Sequence, residues 1–212
     1  ADVLRAATAA GASRFGVVID GYLLPQSVHD IFAAGKQSHV PLLAGWNGQE
    51  SGVPANWTVD NFVATVRTQY GAAADEFLSL YPVSTVDEAR RSATDYAGDQ
   101  FIAYGTWTWI EDHLATGNAP VYRYRFDQAP PPGTRGAYHS AEIEFAFNVL
   151  DNKNLEWRDD DRKVADIMSS YWVNFARTGD PNGNGLPQWP AFHANGGVLR
   201  FLNGAAVMPE PN

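Results

Sequence analysis

The chain contains no cysteine. That removes disulfides, thiolate metal sites and a cysteine nucleophile together. It leaves the compartment open, since a cysteine-free protein tolerates secreted, periplasmic and cytoplasmic surroundings alike. No run of about 18 apolar residues occurs, so no membrane span is expected. Basic clusters are short, Arg90-Arg91 being typical, against a net charge of −9. Gripping a phosphate backbone needs the opposite balance, so nucleic acid is not an expected partner. The histidines, His29, His39, His113, His139 and His193, show no His-x-x-x-His pairing. Neither a metal nor a cofactor is expected.

What the chain does have is apolar content, 45% of 212 residues with 13% aromatic. That is enough to bury a sizeable core and to exclude a disordered tail. There is no internal repeat. Two turn-rich stretches, Ala129-Pro130-Pro131-Pro132-Gly133 and Gly179 to Gly185, read as surface loops rather than interdomain linkers.

Between the loops, strand and helix patterns alternate. Phe15 to Ile19 reads as a strand ended by the Asp20-Gly21 turn. Ser27 with Asp30 predicts a helix start and Gly35 its stop. Val40 to Gly45 is a continuously apolar run, as in a strand buried on both faces. Helical patterns then run from Thr58 to Gly71, from Ala72 to Tyr81, and from a Ser84–Asp87 cap to Gly117. The last of these carries a stripe of Ala93, Ala97, Phe101, Tyr104 and Trp107. Pro120 to Phe126 alternates as a strand, with Arg123 and Arg125 on one face. A short helix is expected over Glu142 to Leu150, a long one over Asp160 to Thr178, and a last strand over Val198 to Phe201. The order predicts an α/β fold with a mostly parallel sheet, helical cover and a helical insertion at about 58–117.

In such sheets reactive groups gather on loops beyond the carboxyl ends of strands. Two loops there carry candidate chemistry. Val40 to Gly45 runs into Trp46-Asn47-Gly48-Gln49-Glu50, and the strand ending at Phe126 leads to His139. If the strands are neighbours, a carboxylate faces an imidazole. By spacing alone the pair is not distinguished from a solvated charge and a surface histidine.

Longer stretches add to this. VVIDGYLLPQSVHDIFAAGKQSHVPLLAGWNGQESG, from Val17 to Gly52, resembles the type-B carboxylesterase family, which includes cholinesterases and bacterial para-nitrobenzyl esterases. GAYHSAEIEFAFN, from Gly136 to Asn148, is similar to that family's HxxEIxFxF segment. YWVNFARTGDPNGNGLPQWPAF, from Tyr171 to Phe192, is similar to its closing signature. The resemblance covers nearly the whole chain, with the three blocks in the family's order.

It implies the C-terminal segment of a single α/β-hydrolase domain working by a Ser-Glu-His triad on a small-molecule ester. Glu50 matches the triad acid and His139 the base. Glu142 is expected to order the histidine loop, Asp99 to be structural, and Trp172, Phe175 and Trp189 to be core. Val53 and Pro54 stand where cholinesterases carry aromatic side chains, which argues against choline esters. No Gly-x-Ser-x-Gly elbow occurs, and Ser51 is in the wrong position within Gly48–Gly52. The nucleophile is therefore expected on an N-terminal segment of the same enzyme, the one macromolecular partner implied. Two other readings compete: an esterase-like adhesion protein without catalysis, and, because there are seven tryptophans, a carbohydrate-binding module.

Overall fold

The computed structural model describes residues 2–9, 16–53, 56–133, 135–193 and 197–209. Four strands form one sheet in the order β1-β2-β3-β4: Leu42–Asn47, Val121–Phe126, Gly197–Phe201 and Ala205–Pro209. The first three are parallel, and β4 turns back antiparallel on β3. The helices are α1 (Asp2–Ala9), α2 (Val28–Ala33), α3 (Val59–Tyr70), α4 (Ala74–Leu80), α5 (Val86–Gly98), α6 (Tyr104–Thr116), α7 (Ile143–Ala146) and α8 (Asp159–Thr178). Together they give an α/β fold with a mostly parallel sheet.

Parallel strands need cover on both faces, and both faces have it. On one, Phe126, Leu199 and Phe201 pack with Phe145 of α7, Met168 and Tyr171 of α8, and Trp189. On the other, Ala44, Val121 and Val198 pack with Ile110 of α6 and with Phe192. A third cluster, Phe62, Val66, Ala74 and Ala93, lies among α3, α4 and α5. The Asp180 to Trp189 loop is closed by Asn182. Its Oδ1 accepts from the Trp189 backbone N–H at 2.7 Å, and its Nδ2 donates to the Trp189 carbonyl at 2.9 Å.

Several elements differ from the sequence expectation. Phe15 lies outside the described residues. Residues 16–19 form no strand; Val17, Val18 and Ile19 are exposed. β-Branched residues favour a strand only where a neighbour pairs with them. The Asp20 turn does form, Asp20 Oδ1 accepting from the Tyr22 and Leu24 backbone N–H groups. Helix α5 is capped one residue late, by Thr85 accepting from Glu88 N–H, while Glu88 accepts from Ser84 N–H. Both registers fit the capping pattern, and glutamate reaches back further than Asp87. Only Ile143–Ala146 of the 142–150 stretch is α-helical, and Asn148, at φ 52°, lies beyond its end.

The stripe on the long helix is also redistributed. Asp99–Ala103 is a π-helical turn, and beyond it α6 buries Ile110 and His113. Phe101, Tyr104 and Trp107 are 55%, 68% and 40% exposed. A π turn widens the hydrogen-bond ladder, so side chains after it no longer continue the α5 face. Strand β4 had no counterpart in the sequence reading.

The start of α8 holds a buried charge. Asp161, fully buried, accepts from Arg158 N–H, Nε and Nη2 and from Gln128 Nε2. Burial alone would raise its carboxyl. The hydrogen bonds from Arg158 and Gln128, with the guanidinium charge, instead hold it below the ordinary 3.8. Asp161→Ala leaves the buried Gln128 Nε2 without its acceptor and is expected to cost about 2–3 kcal/mol. Because the folded value is depressed, the unfolded state binds the extra proton. The stabilisation is full above 3.8 and lost as pH falls through the folded value. Urea unfolding from about pH 6 down to about pH 2 checks this. The variant should show the shallower fall at the acid end, and equal slopes would refute the linkage.

No helix among the described residues is long and apolar enough to cross a membrane.

Candidate active site

Strands β1 and β2 run side by side in register, Trp46 opposite Arg125 and Asn47 opposite Phe126, so their carboxyl ends meet at one edge. Gly45 permits the close approach. A Cβ there would lie 2.1 Å from the Tyr124 carbonyl oxygen and 2.6 Å from its ring.

The pairing continues beyond the strands. Gly48 N–H donates to the Phe126 carbonyl at 2.8 Å, and Gln49 N–H to the Ala137 carbonyl at 3.0 Å. Gln49 Oε1 accepts from Ala137 N–H at 2.7 Å, and Gln49 forms a parallel bridge with Tyr138. Gly136 makes this possible: its φ is +64°, and a Cβ would sit 2.2 Å from Gln49 Oε1. The next residues along the two segments are Glu50 and His139.

The two side chains meet. Glu50 Oε2 lies 2.6 Å from His139 Nδ1, and Glu50 Oε1 accepts from Asn47 N–H at 2.6 Å. The carboxylate is only 5% exposed, whereas the imidazole is 49% exposed. An ionised carboxylate can only accept, so the Nδ1–H donates and Nε2 is left to accept a proton from something else. Ser140, immediately after the histidine, has φ +70°, a conformation that non-glycine residues adopt rarely and that clusters at functional sites.

Glu142 lies behind the pair. It accepts from Asn47 Nδ2, which also donates to the Tyr138 carbonyl at 2.9 Å. Asn47 thus ties the acid loop to the histidine loop, a link that the sequence reading did not single out. The signal was present, since Asn47 lies within the quoted Val17–Gly52 stretch, three residues before Glu50. The Tyr124 hydroxyl is pushed well above its usual value, first by burial and then by the charges of Glu142 and Glu50. It stays protonated.

Among the described residues, none of the other singled-out ones is hydrogen-bonded to this pair. Asp99 accepts from the Tyr81 hydroxyl at 2.5 Å. Trp189 is fully buried, and Trp172 and Phe175 pack against the same cluster. Val53 packs with the α3–α5 cluster, and Pro54 lies outside the described residues. A polar cavity of about 690 Å³, bounded by Trp46, Glu50, Arg91, Asp95, Asp99 and Arg125, lies between α5 and the end of β1. Burial, together with the Asp99 charge, raises the Asp95 carboxyl against the pull of Arg125 and Arg91. Among the described residues no cluster of three or more His, Asp or Glu side chains is arranged to hold a metal ion.

A helix-covered, mostly parallel sheet with a Glu–His pair at its carboxyl edge is part of an α/β-hydrolase fold. The chain belongs to the carboxylesterase family, whose family model matches residues 3–209. It is 29% identical over 199 residues to the fumonisin B1 esterase of Sphingopyxis macrogoltabida, covering 88% of this chain and 36% of the relative. It is 29% identical over 204 residues to the cocaine esterase of Homo sapiens, covering 82% and 36%. It is 32% identical over 215 residues to carboxylesterase 5A of Canis lupus familiaris, covering 88% and 37%. The chain thus spans little more than a third of these curated relatives.

Proposed function

We propose that this chain is the C-terminal segment of a single α/β-hydrolase domain and supplies the acid Glu50 and the base His139 of a Ser-Glu-His triad for carboxylic ester hydrolysis. The serine belongs to a preceding segment of the same enzyme. The observation that carries this reading is the 2.6 Å contact between Glu50 Oε2 and His139 Nδ1. Family membership supports the reaction class.

In this scheme His139 Nε2 takes the serine proton as the oxygen attacks the ester carbonyl, and returns it to the leaving alcohol. Glu50 holds the imidazole in the tautomer that leaves Nε2 free and stabilises the imidazolium. The same steps, with water as nucleophile, release the acid. The half-exposed imidazole suits proton exchange with a substrate, and the buried carboxylate suits a fixed partner. The adhesion and carbohydrate-binding readings have no comparable geometric support, whereas acid and base are both present and in contact.

The test is to express the chain joined to its preceding coding segment and treat it with an organophosphate. Covalent labelling of one serine within a Gly-x-Ser-x-Gly pentapeptide is expected, with loss of para-nitrophenyl acetate hydrolysis. The 212-residue chain by itself is expected to show no turnover above background. A preceding segment without that pentapeptide, or turnover by the chain alone, would overturn the scheme.

A further inference from the structure

The helix bordering the acid–base pair carries a residue that the reaction scheme leaves unused. Between α5 and α6 the backbone makes one π-helical turn, Asp99–Ala103. Single turns of this kind occur often at functional sites, because they re-aim side chains within an otherwise regular helix. The turn and the residue before it lie beside the two members of the pair. Gly98, just before it, faces the acid: a Cβ there would lie 3.5 Å from Glu50 Cβ and 3.8 Å from the Glu50 backbone nitrogen. Phe101, within the turn, meets His139 edge to face, with ring centroids 5.0 Å apart and planes at 77°. Asp99 anchors the turn to the end of α4 through the Tyr81 hydroxyl.

Core packing does not account for Phe101. Its side chain belongs to none of the buried clusters, and the residue is 55% exposed. Among the described residues the one ring contact of Phe101 is with the His139 imidazole. The Glu50 hydrogen bond fixes His139 at Nδ1 but leaves the ring free to swing about that bond. A perpendicular ring against the imidazole removes that freedom and keeps Nε2 aimed in one direction. Edge-to-face pairs have a preferred geometry, so the restraint is directional.

We propose that Phe101 is a positioning residue for the His139 imidazole. The proposal rests on the hydrolase reading above, and the test separates the two. In the protein that includes the nucleophile segment, Phe101→Ala, Phe101→Tyr and His139→Ala are compared on para-nitrophenyl acetate. Phe101→Ala is expected to lower kcat about 3- to 10-fold with KM changed less than about twofold, and Phe101→Tyr, which keeps the ring, to recover kcat to within about twofold of the parent. Thermal midpoints should be unchanged, because among the described residues the ring joins none of the buried clusters. Wild-type kcat in Phe101→Ala beside an inactive His139→Ala overturns the proposal and leaves the hydrolase reading standing. So does a kcat loss that tracks a lowered melting temperature or that tyrosine fails to restore. Full activity in His139→Ala overturns the hydrolase reading, and the positioning role with it.

Discussion

Glu50→Gln, made in the protein joined to the segment proposed to carry the nucleophile, is expected to lower kcat roughly a thousand- to ten-thousand-fold. Glutamine keeps the size of the side chain, and its carbonyl oxygen can still accept from Asn47 N–H, as Glu50 Oε1 does at 2.6 Å. What changes is the atom facing His139 Nδ1. An amide N–H there favours the tautomer that carries its proton on Nε2, where it cannot take one from a serine. His139→Ala removes the base altogether and is expected to cost roughly ten-thousand- to a million-fold. The two act as one unit, so the double variant should be no slower than His139→Ala alone. Rates of para-nitrophenyl acetate hydrolysis under saturating conditions decide the matter. Either single variant working near the parent rate would remove that residue from the mechanism.

Trp189→Ala is expected to have the largest effect on stability, about 3–5 kcal/mol. The indole is fully buried. It packs edge-on against Tyr122, Tyr171 and Phe201 at centroid distances of 5.9, 5.2 and 6.2 Å, thereby joining β2, α8 and β3. Removing it opens a cavity at the point where three elements converge, and backbone pairing with Asn182 resists collapse of the loop. Its indole N–H has no hydrogen-bond partner among the described residues. Trp189→Phe therefore loses volume but no polar contact, and should cost no more than about half as much. Urea unfolding of both variants measures the difference. A phenylalanine variant as unstable as the alanine one would show that packing volume is not what Trp189 supplies.

Much of the fold was legible in the sequence because local rules decide local structure. Helix α8 follows from apolar residues at helical spacing over twenty residues, and β1 and β2 from short apolar or alternating runs bounded by glycine and proline. Thr58 caps α3 as its position suggests. The departures have several causes. Residues 16–19 have strand-like composition but no pairing partner among the described residues. The stripe through Phe101, Tyr104 and Trp107 assumes an uninterrupted helix, and the π turn interrupts it. Strand β4 is short and weakly patterned, and it forms against β3 through backbone hydrogen bonds available to almost any residue.

The candidate site divides in the same way. Glu50 and His139 were singled out from the words around them, whereas Asn47, in the same quoted stretch, and Phe101 were not. Their roles depend on neighbours that lie far away in the chain.

By itself the sequence determined the chemistry on offer: no thiol, no paired metal ligands, one carboxylate and one imidazole each set after a strand, and the blocks that mark the family. Only the tertiary structure decided that the two groups meet. Glu50 and His139 are separated by the whole α3–α6 stretch, and their contact depends on β1 lying beside β2 in a particular register. Register is held by main-chain hydrogen bonds, which are the same for every residue type, so it becomes visible only when the chain is folded.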